Sequence, residues 1–408
     1  MKQLRLVFLL VLFTSLAFGQ KFSESNITAL QDALDSLIKP VKESGIKVSC
    51  KVVHADYNKT LYEFDPEEPM IPASITKLIT CACSYSKLGQ SYNIPTIIYT
   101  DDNNINDGVI NGNLYLKGFG DPDLNSGDIQ KLAEILYDKG IKEITGNIVA
   151  DETYFDADYK TLSGNYNGDT GPSYWPYITA LSFNKNEGKF NPATEAAYYL
   201  SSELSSKSVS LQGSVISGIT PKGAKEIAQV NHAIFDVLSY MCKESDNHSA
   251  ITMFKLLGAL KDTPGSIDKG REVVISFLGE IGVNRYSYEI LEGSGLTRYN
   301  KVNADVYIKL LKFMYDDRFL FDYFMNSLSI AGKDGTLKNR MKGTIAEGNV
   351  FAKTGTLNSV SALSGYVIDQ DSEVLIFYCV MNGFGGNATA MRDVQDMVCI
   401  YMANFRRN

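Results

Sequence analysis

Apolar residues recur at three- and four-residue spacing from Ile27 to Val41, which predicts an amphipathic helix. "KVSCKVVHAD" and "KTLYEF" then predict two strands joined by a polar turn around Tyr57 and Asn58. Helical spacing returns with Ile75, Leu78, Ile79 and Ala82, behind a proline, Pro72, suited to a first turn. From about Ile94 to Ala228 the texture changes to short strand-like pieces, such as "GNLYLKGF" and "GNIVAD", broken by Asp, Asn, Gly and Pro. One helix is apparent within them, Ile129 to Lys139, and the chain returns quickly to helix after "ALSFNKNEGKF". A run of helical patterns follows from Asn231 ("AIFDVLSYMCK", "AITMFKLLGAL", "VVISFLGEIG", "DVYIKLLKFMY"). Three strand-like runs close the pattern ("NVFAKTGTL", "VSALSGYVID", "VLIFYCVMNGF"), with a last helix from about Thr389 to Phe405.

Consecutive strands with tight connections pair antiparallel. Joining the two early strands to the three late ones gives a five-stranded antiparallel sheet with helices on its faces, an α+β core enclosing an inserted β-rich domain. The expected division is 20–95 and 229–408 for the core and 96–228 for the insertion.

Composition adds the compartment. The 408 residues are 44% apolar and 21% charged, as in ordinary globular chains. Lys2 and Arg5, the apolar run Leu6 to Phe13 and the small residues around Ala17 and Gly19 form the three-part pattern of a cleaved export signal over 1–19. No later segment approaches the length of a membrane span, so the mature chain is expected to be exported to the periplasm or cell envelope without a transmembrane segment. A formal charge of −8, with no cluster of Lys and Arg, excludes a nucleic-acid partner. The six cysteines show neither C-x-x-C pairs nor zinc spacing; buried free thiols are expected, and no metal or cofactor.

Chemistry enters with "PASITKLIT", where Ser74 and Lys77 stand three apart on a helix and therefore over one another. Ser-x-x-Lys alone decides nothing, because it also occurs at Ser36, Ser44, Ser84, Ser182 and Ser266. Two further motifs change that. Ser245-Asp246-Asn247 lies between two predicted helices, and Lys353-Thr354-Gly355-Thr356 carries the chain's single Lys-Thr-Gly in a predicted strand. S-x-x-K, S-D-N and K-T-G form the motif set of penicillin-binding proteins and class A β-lactamases, and here they occur in that order on helix start, connecting loop and strand.

Each part has a physical task. A serine hydroxyl attacks only when a base takes its proton, and Lys77 can do so only when neutral. Bringing a lysine from about 10.4 to near 7 costs roughly 4–5 kcal/mol, supplied by burial and by a neighbouring cation such as Lys353. The backbone N–H groups of Ser74 and Thr356 can hold an oxyanion. Ser245 can carry a proton to the leaving amine, and Asn247 can bond a substrate amide. Of the three histidines, His54 reads as structural, His248 as a wall of the site, and His232 has no motif. The Asp-rich pieces "DDNNINDG" and "DPDLNSGD" lack the last glutamate of a calcium loop and read as turns.

With these motifs, and with "NGNLYLKGFGDPDL", "ITGNIVADETYF", "ALSFNKN", "EGSGLTRYN" and "AGKDGTLKNRM", the chain resembles the class C low-molecular-mass penicillin-binding proteins, the D-alanyl-D-alanine carboxypeptidases and endopeptidases, from about Ile46 onward. The resemblance implies the β-lactamase/penicillin-binding transpeptidase-like fold and a serine peptidase that acylates Ser74 with peptidoglycan stem peptides or with β-lactam antibiotics. It implies that Lys353, Thr354, Gly355 and Thr356 receive a terminal carboxylate, and that Asp151 looks towards the substrate side chain. The spacing from Ser74 to Ser245 is shorter than in larger members with two extra domains, and His248 replaces the usual apolar neighbour. Fast turnover of a cephalosporin would instead indicate a β-lactamase or esterase on the same fold, and absence of penicillin labelling a non-catalytic cell-wall binding protein.

Overall fold

The computed structural model describes residues 22–160, 175–188 and 191–408. The expected leader over 1–19 lies outside them. Helix α1 (Glu24–Glu43) leads into strands β1 (Lys47–His54) and β2 (Lys59–Phe64), and helix α2 (Thr76–Leu88) follows a single 3₁₀ turn, Ala73–Ile75. The late strands are β9 (Val350–Leu357), β10 (Val360–Ile368) and β11 (Val374–Asn382), after the two-residue strand β8 (Ser329–Ile330). Their order is β8-β9-β10-β11-β1-β2, antiparallel throughout. The five expected strands are present, and β8 extends them by one short edge strand.

Strands β10 and β11 are buried along almost their whole length because both faces of the sheet are covered. The two-residue alternation of a strand divides each run between two cores. Ala362, Tyr366, Ile376 and Tyr378 face one core with α2 and the helices α5 (Ile234–Lys243), α6 (Asn247–Lys261), α7 (Ile267–Glu280) and α8 (Ala304–Asp316). Leu363, Val367, Leu375 and Phe377 face the other, beneath α1 and the final helix α9 (Thr389–Ala403). All six cysteines are buried and free.

The segment between α2 and α5 builds a second sheet in the order β7-β3-β4-β5-β6, from β3 (Asn93–Thr100), β4 (Leu114–Gly118), β5 (Ile148–Asp151), β6 (Val215–Ser217) and β7 (Lys225–Ala233). Two helices cover it, α3 (Ser126–Asp138) and α4 (Pro192–Ser206), around a third core. Strands β3 and β7 pair from Asn93 with Ala233 to Thr100 with Lys225, bringing the ends of this segment together, and the expected limits 96 and 228 fall inside that paired stem. Among the described residues no helix is long and apolar enough to cross a membrane.

Candidate active site

Ser74 sits in the 3₁₀ turn that begins α2, and Lys77 lies one turn on, fully buried. The Lys77 Nζ is 3.1 Å from Ser74 Oγ, 2.8 Å from Oδ1 of Asn247 and 2.7 Å from the carbonyl oxygen of Ser294. Three acceptors for three donors leave this amine with one orientation. The residue before Ser74, Ala73, has φ 49°, a left-handed conformation that costs a non-glycine roughly 1–2 kcal/mol. What holds it there is the loop after α7. Gly295 packs so closely that a β-carbon on it would stand 1.9 Å from the Ala73 carbonyl oxygen.

That loop, "EGSGLT", is organised by Glu292, which the sequence reading left without a role. Its buried carboxylate accepts from the backbone N–H groups of Ser294, Gly295 and Thr297 and from the Ser294 hydroxyl. Glu292 thereby aims the Ser294 carbonyl at Lys77. Burial lowers the Lys77 pKa to about 8, opposed by the negative charges of Glu292 and Asp246. Lys353, also fully buried, is pushed to about 7, first by burial and then by the charge of Lys77. The lowering expected for Lys77 is thus present, and its cause is enclosure.

Ser245 ends the turn after α5 with φ 60° and lines the same cleft as Ser74. Asp246 caps α6 by accepting from the Ser249 N–H, which turns Asn247 inward to Lys77. Lys353 to Thr356 lie on β9, where β8 pairs only with Phe351 and Ala352. From Lys353 onward, the outer edge of β9 has no strand partner among the described residues. Gly355 brings this edge against the turn that carries Ser74: a β-carbon there would meet the Pro72 carbonyl oxygen at 2.7 Å and the Ile75 nitrogen at 3.1 Å. The Lys353 amine is enclosed and donates to the carbonyl oxygen of Thr354 at 2.9 Å. It is not presented to the cleft as the expected cation for a carboxylate.

The cleft measures about 470 Å³ and is lined by Ser74, Ser245, Thr354, Thr356 and also Thr336, Asn339, Arg340 and Arg392. Three of these last four lie in "DGTLKNR", inside a segment whose family likeness was visible but whose residues carried no assignment. Arg392, on α9, had no signal at all in the sequence. Asp151 is not brought to this cleft. Its fully buried carboxylate pairs with Lys117 at 3.1 Å and accepts from Thr153 and Thr220, within the inserted sheet.

The histidines stay outside the chemistry. His54 Nε2 meets Glu373 at 3.0 Å, and although Asp369 lies close enough to complete a possible ion site, the Arg407 guanidinium already holds Glu373. His232 pairs with Asp121 at 2.7 Å. His248 is buried beside Asn247, and burial lowers its pKa to about 4, so it is a neutral wall near pH 7.

The chain matches the D-Ala-D-Ala carboxypeptidase 3 (S13) family over residues 30–190 and 187–404. It is 27% identical to a D-alanyl-D-alanine carboxypeptidase of Actinomadura sp. strain R39, over 94% of this chain and 86% of that one. Its fold is similar to penicillin binding protein 4 of Haemophilus influenzae, with a TM-score of 0.76 and 22% identity over 92% of this chain and 98% of that one; the same protein is known in complex with a β-lactam. A predatory peptidoglycan endopeptidase from Bdellovibrio bacteriovorus is similar at TM-score 0.58 and 16% identity, covering 86% of this chain and 92% of that one.

Proposed function

Because this chain belongs to the D-Ala-D-Ala carboxypeptidase 3 (S13) family, as the match over most of its length shows, we propose that Ser74 is the residue acylated in a D-alanyl-D-alanine carboxypeptidase or endopeptidase reaction on peptidoglycan stem peptides. The observation that carries this assignment is the 3.1 Å contact between a buried, pKa-lowered Lys77 amine and the hydroxyl of the partly buried Ser74.

The peptide adds to the open edge of β9, where main-chain hydrogen bonds align it beside Ser74. Neutral Lys77 takes the hydroxyl proton as Ser74 Oγ bonds to the carbonyl carbon of the penultimate D-alanine. The N–H groups of Ser74 and Thr356 hold the oxyanion. As the C–N bond breaks, the proton passes from Lys77 through the Ser245 hydroxyl to the leaving amine. Water then bonds to the acyl carbon, the ester bond to Ser74 breaks, and its Oγ recovers a proton by way of Lys77. Asn247 fixes Lys77 throughout.

A β-lactam presents a strained amide to the same serine. No carboxylate lines the cleft among the described residues, so no general base of the Glu type stands ready to hydrolyse the penicilloyl ester. The adduct should persist, which separates this reading from a β-lactamase. The leader pattern supports action outside the cytoplasm, in the periplasm or cell envelope. Release of D-alanine from a pentapeptide by the wild-type protein, with none from Ser74→Ala, tests the assignment; hydrolysis by Ser74→Ala would overturn it.

A further inference from the structure

Lys185 belongs to the segment inserted between α2 and α5, yet its amine lies against the turn that presents Ser245 and Asn247. Three residues in a row, Asn184, Lys185 and Asn186, have φ of 50°, 57° and 57°. Asparagine visits this left-handed region more readily than most residues, whereas a lysine bears its full steric cost. Local bonds hold the turn. The Asn184 N–H donates to the Leu124 carbonyl, the Ser126 N–H donates to Asn184 Oδ1, and the buried Asn186 amide joins the Phe183 N–H to the Tyr177 carbonyl. A strained backbone fixed so thoroughly points to a task for the side chain it aims.

That side chain crosses to the core. Its Nζ donates to Asp123 of the inserted segment and, at 3.0 Å, to Ser249 Oγ of α6; it stands 3.9 Å from Asp246 Oδ1 and 4.4 Å from the centre of the Tyr240 ring of α5. Ser249 is fully buried and gives its one hydroxyl proton to Asp246 Oδ1 at 2.8 Å, which leaves its oxygen to accept from Lys185. One cation thus touches the last turn of α5 and the first turn of α6, on either side of Ser245. Ser245 itself has φ 60°, and a residue held in that region relaxes unless its surroundings fix it. Lys185 does not line the cleft beside Ser74, so its charge serves the turn and not a peptide in the cleft.

We propose that Lys185 is a positioning residue: through Ser249 and Asp246 it fixes the turn that carries Ser245 and Asn247, so that the inserted segment sets the rate of acylation from outside the cleft. Asn247 in turn orients the Lys77 amine, at 2.8 Å. This rests on the peptidase reading above.

Stopped-flow acylation of the full chain by benzylpenicillin, over a range of concentrations, separates the dissociation constant of the first complex from the rate constant of bond formation. In Lys185→Met the rate constant should fall by about tenfold or more, as when reacting groups are misplaced, while the dissociation constant stays within about twofold. Lys185→Arg keeps the cation and should recover much of the rate. Ser249→Ala leaves Lys185 and Asp123 paired but cuts the link to Asp246, so it should slow acylation likewise. Combined with Lys185→Met it should add little, because both variants break one contact. An unchanged rate constant in Lys185→Met, a loss confined to the dissociation constant, no recovery in Lys185→Arg, or additive losses in the double variant would overturn the role of Lys185 alone. If Lys185→Met does not fold, Ser249→Ala decides, and acylation at the wild-type rate overturns the role. A wild type that forms no penicillin adduct and releases no D-alanine from a pentapeptide would overturn the peptidase reading and this one with it.

Discussion

The Lys77 amine stands 3.1 Å from the Ser74 hydroxyl although the two side chains leave different local structures, a 3₁₀ turn and the α-helix that continues it. The tighter winding of a 3₁₀ turn, three residues per turn, sets residues i and i+3 over one another and so the hydroxyl over the amine. Ser74→Ala and Lys77→Met should each abolish the covalent benzylpenicillin adduct in intact-mass spectra. Lys77→Met should keep or raise the melting temperature, because an apolar chain of similar length replaces an amine whose charge is costly to bury. An adduct of unchanged yield in either variant contradicts the proposed acylation.

Acylation should depend on pH through Lys77. Only the neutral amine accepts the proton, and its pKa is about 8. The acylation rate should therefore climb by about tenfold per pH unit below that value and level off above it. Glu292→Gln removes a negative charge that favours the ammonium form, so the Lys77 pKa falls and the rising limb moves to lower pH. Stopped-flow acylation between about pH 5.5 and 9 reads the shift; movement to higher pH refutes the electrostatic role of Glu292.

Gly355 is needed for a close approach, not for its backbone freedom. In Gly355→Ala the new methyl group would press on the Pro72 carbonyl at 2.7 Å and on the Ala362 β-carbon at 3.1 Å. Strand and nucleophile turn must separate by some tenths of an ångström. Overpacking of this kind costs about 1–3 kcal/mol in stability, while misplacement of reacting groups costs on the order of 100-fold in rate. Loss of activity should therefore far exceed loss of stability, and wild-type kcat/KM in this variant would show that the contact is unimportant.

The six free cysteines are buried, three of them in the core under α1 and α9. A thiol reagent should find none in the native protein within minutes and all six after denaturation without reductant. Fewer than six in the denatured chain would reveal a disulfide.

Much of this protein was legible from local pattern. Alternating and helical periodicities located nearly every element of the core because each reports a face that must be buried. Ser74, Lys77, Ser245 and Asn247 were legible as motifs because their chemistry restricts both residue type and spacing. Glu292 was not, since its importance lies in four donors of its own loop and in a lysine more than 200 positions earlier. Nor was the burial of Asp151, whose partner Lys117 comes from the neighbouring parallel strand.

The sequence by itself pointed to the antiparallel strands, the β-rich segment between α2 and α5, and Ser74 as the candidate nucleophile, because burial periodicity and a short reactive motif are properties of neighbouring residues. Only the tertiary structure decided which cations face the cleft. It enclosed Lys353, neutralised Arg340 with Asp396 and left Arg392 open, since a side chain's charge and direction are set by what packs around it from distant parts of the chain.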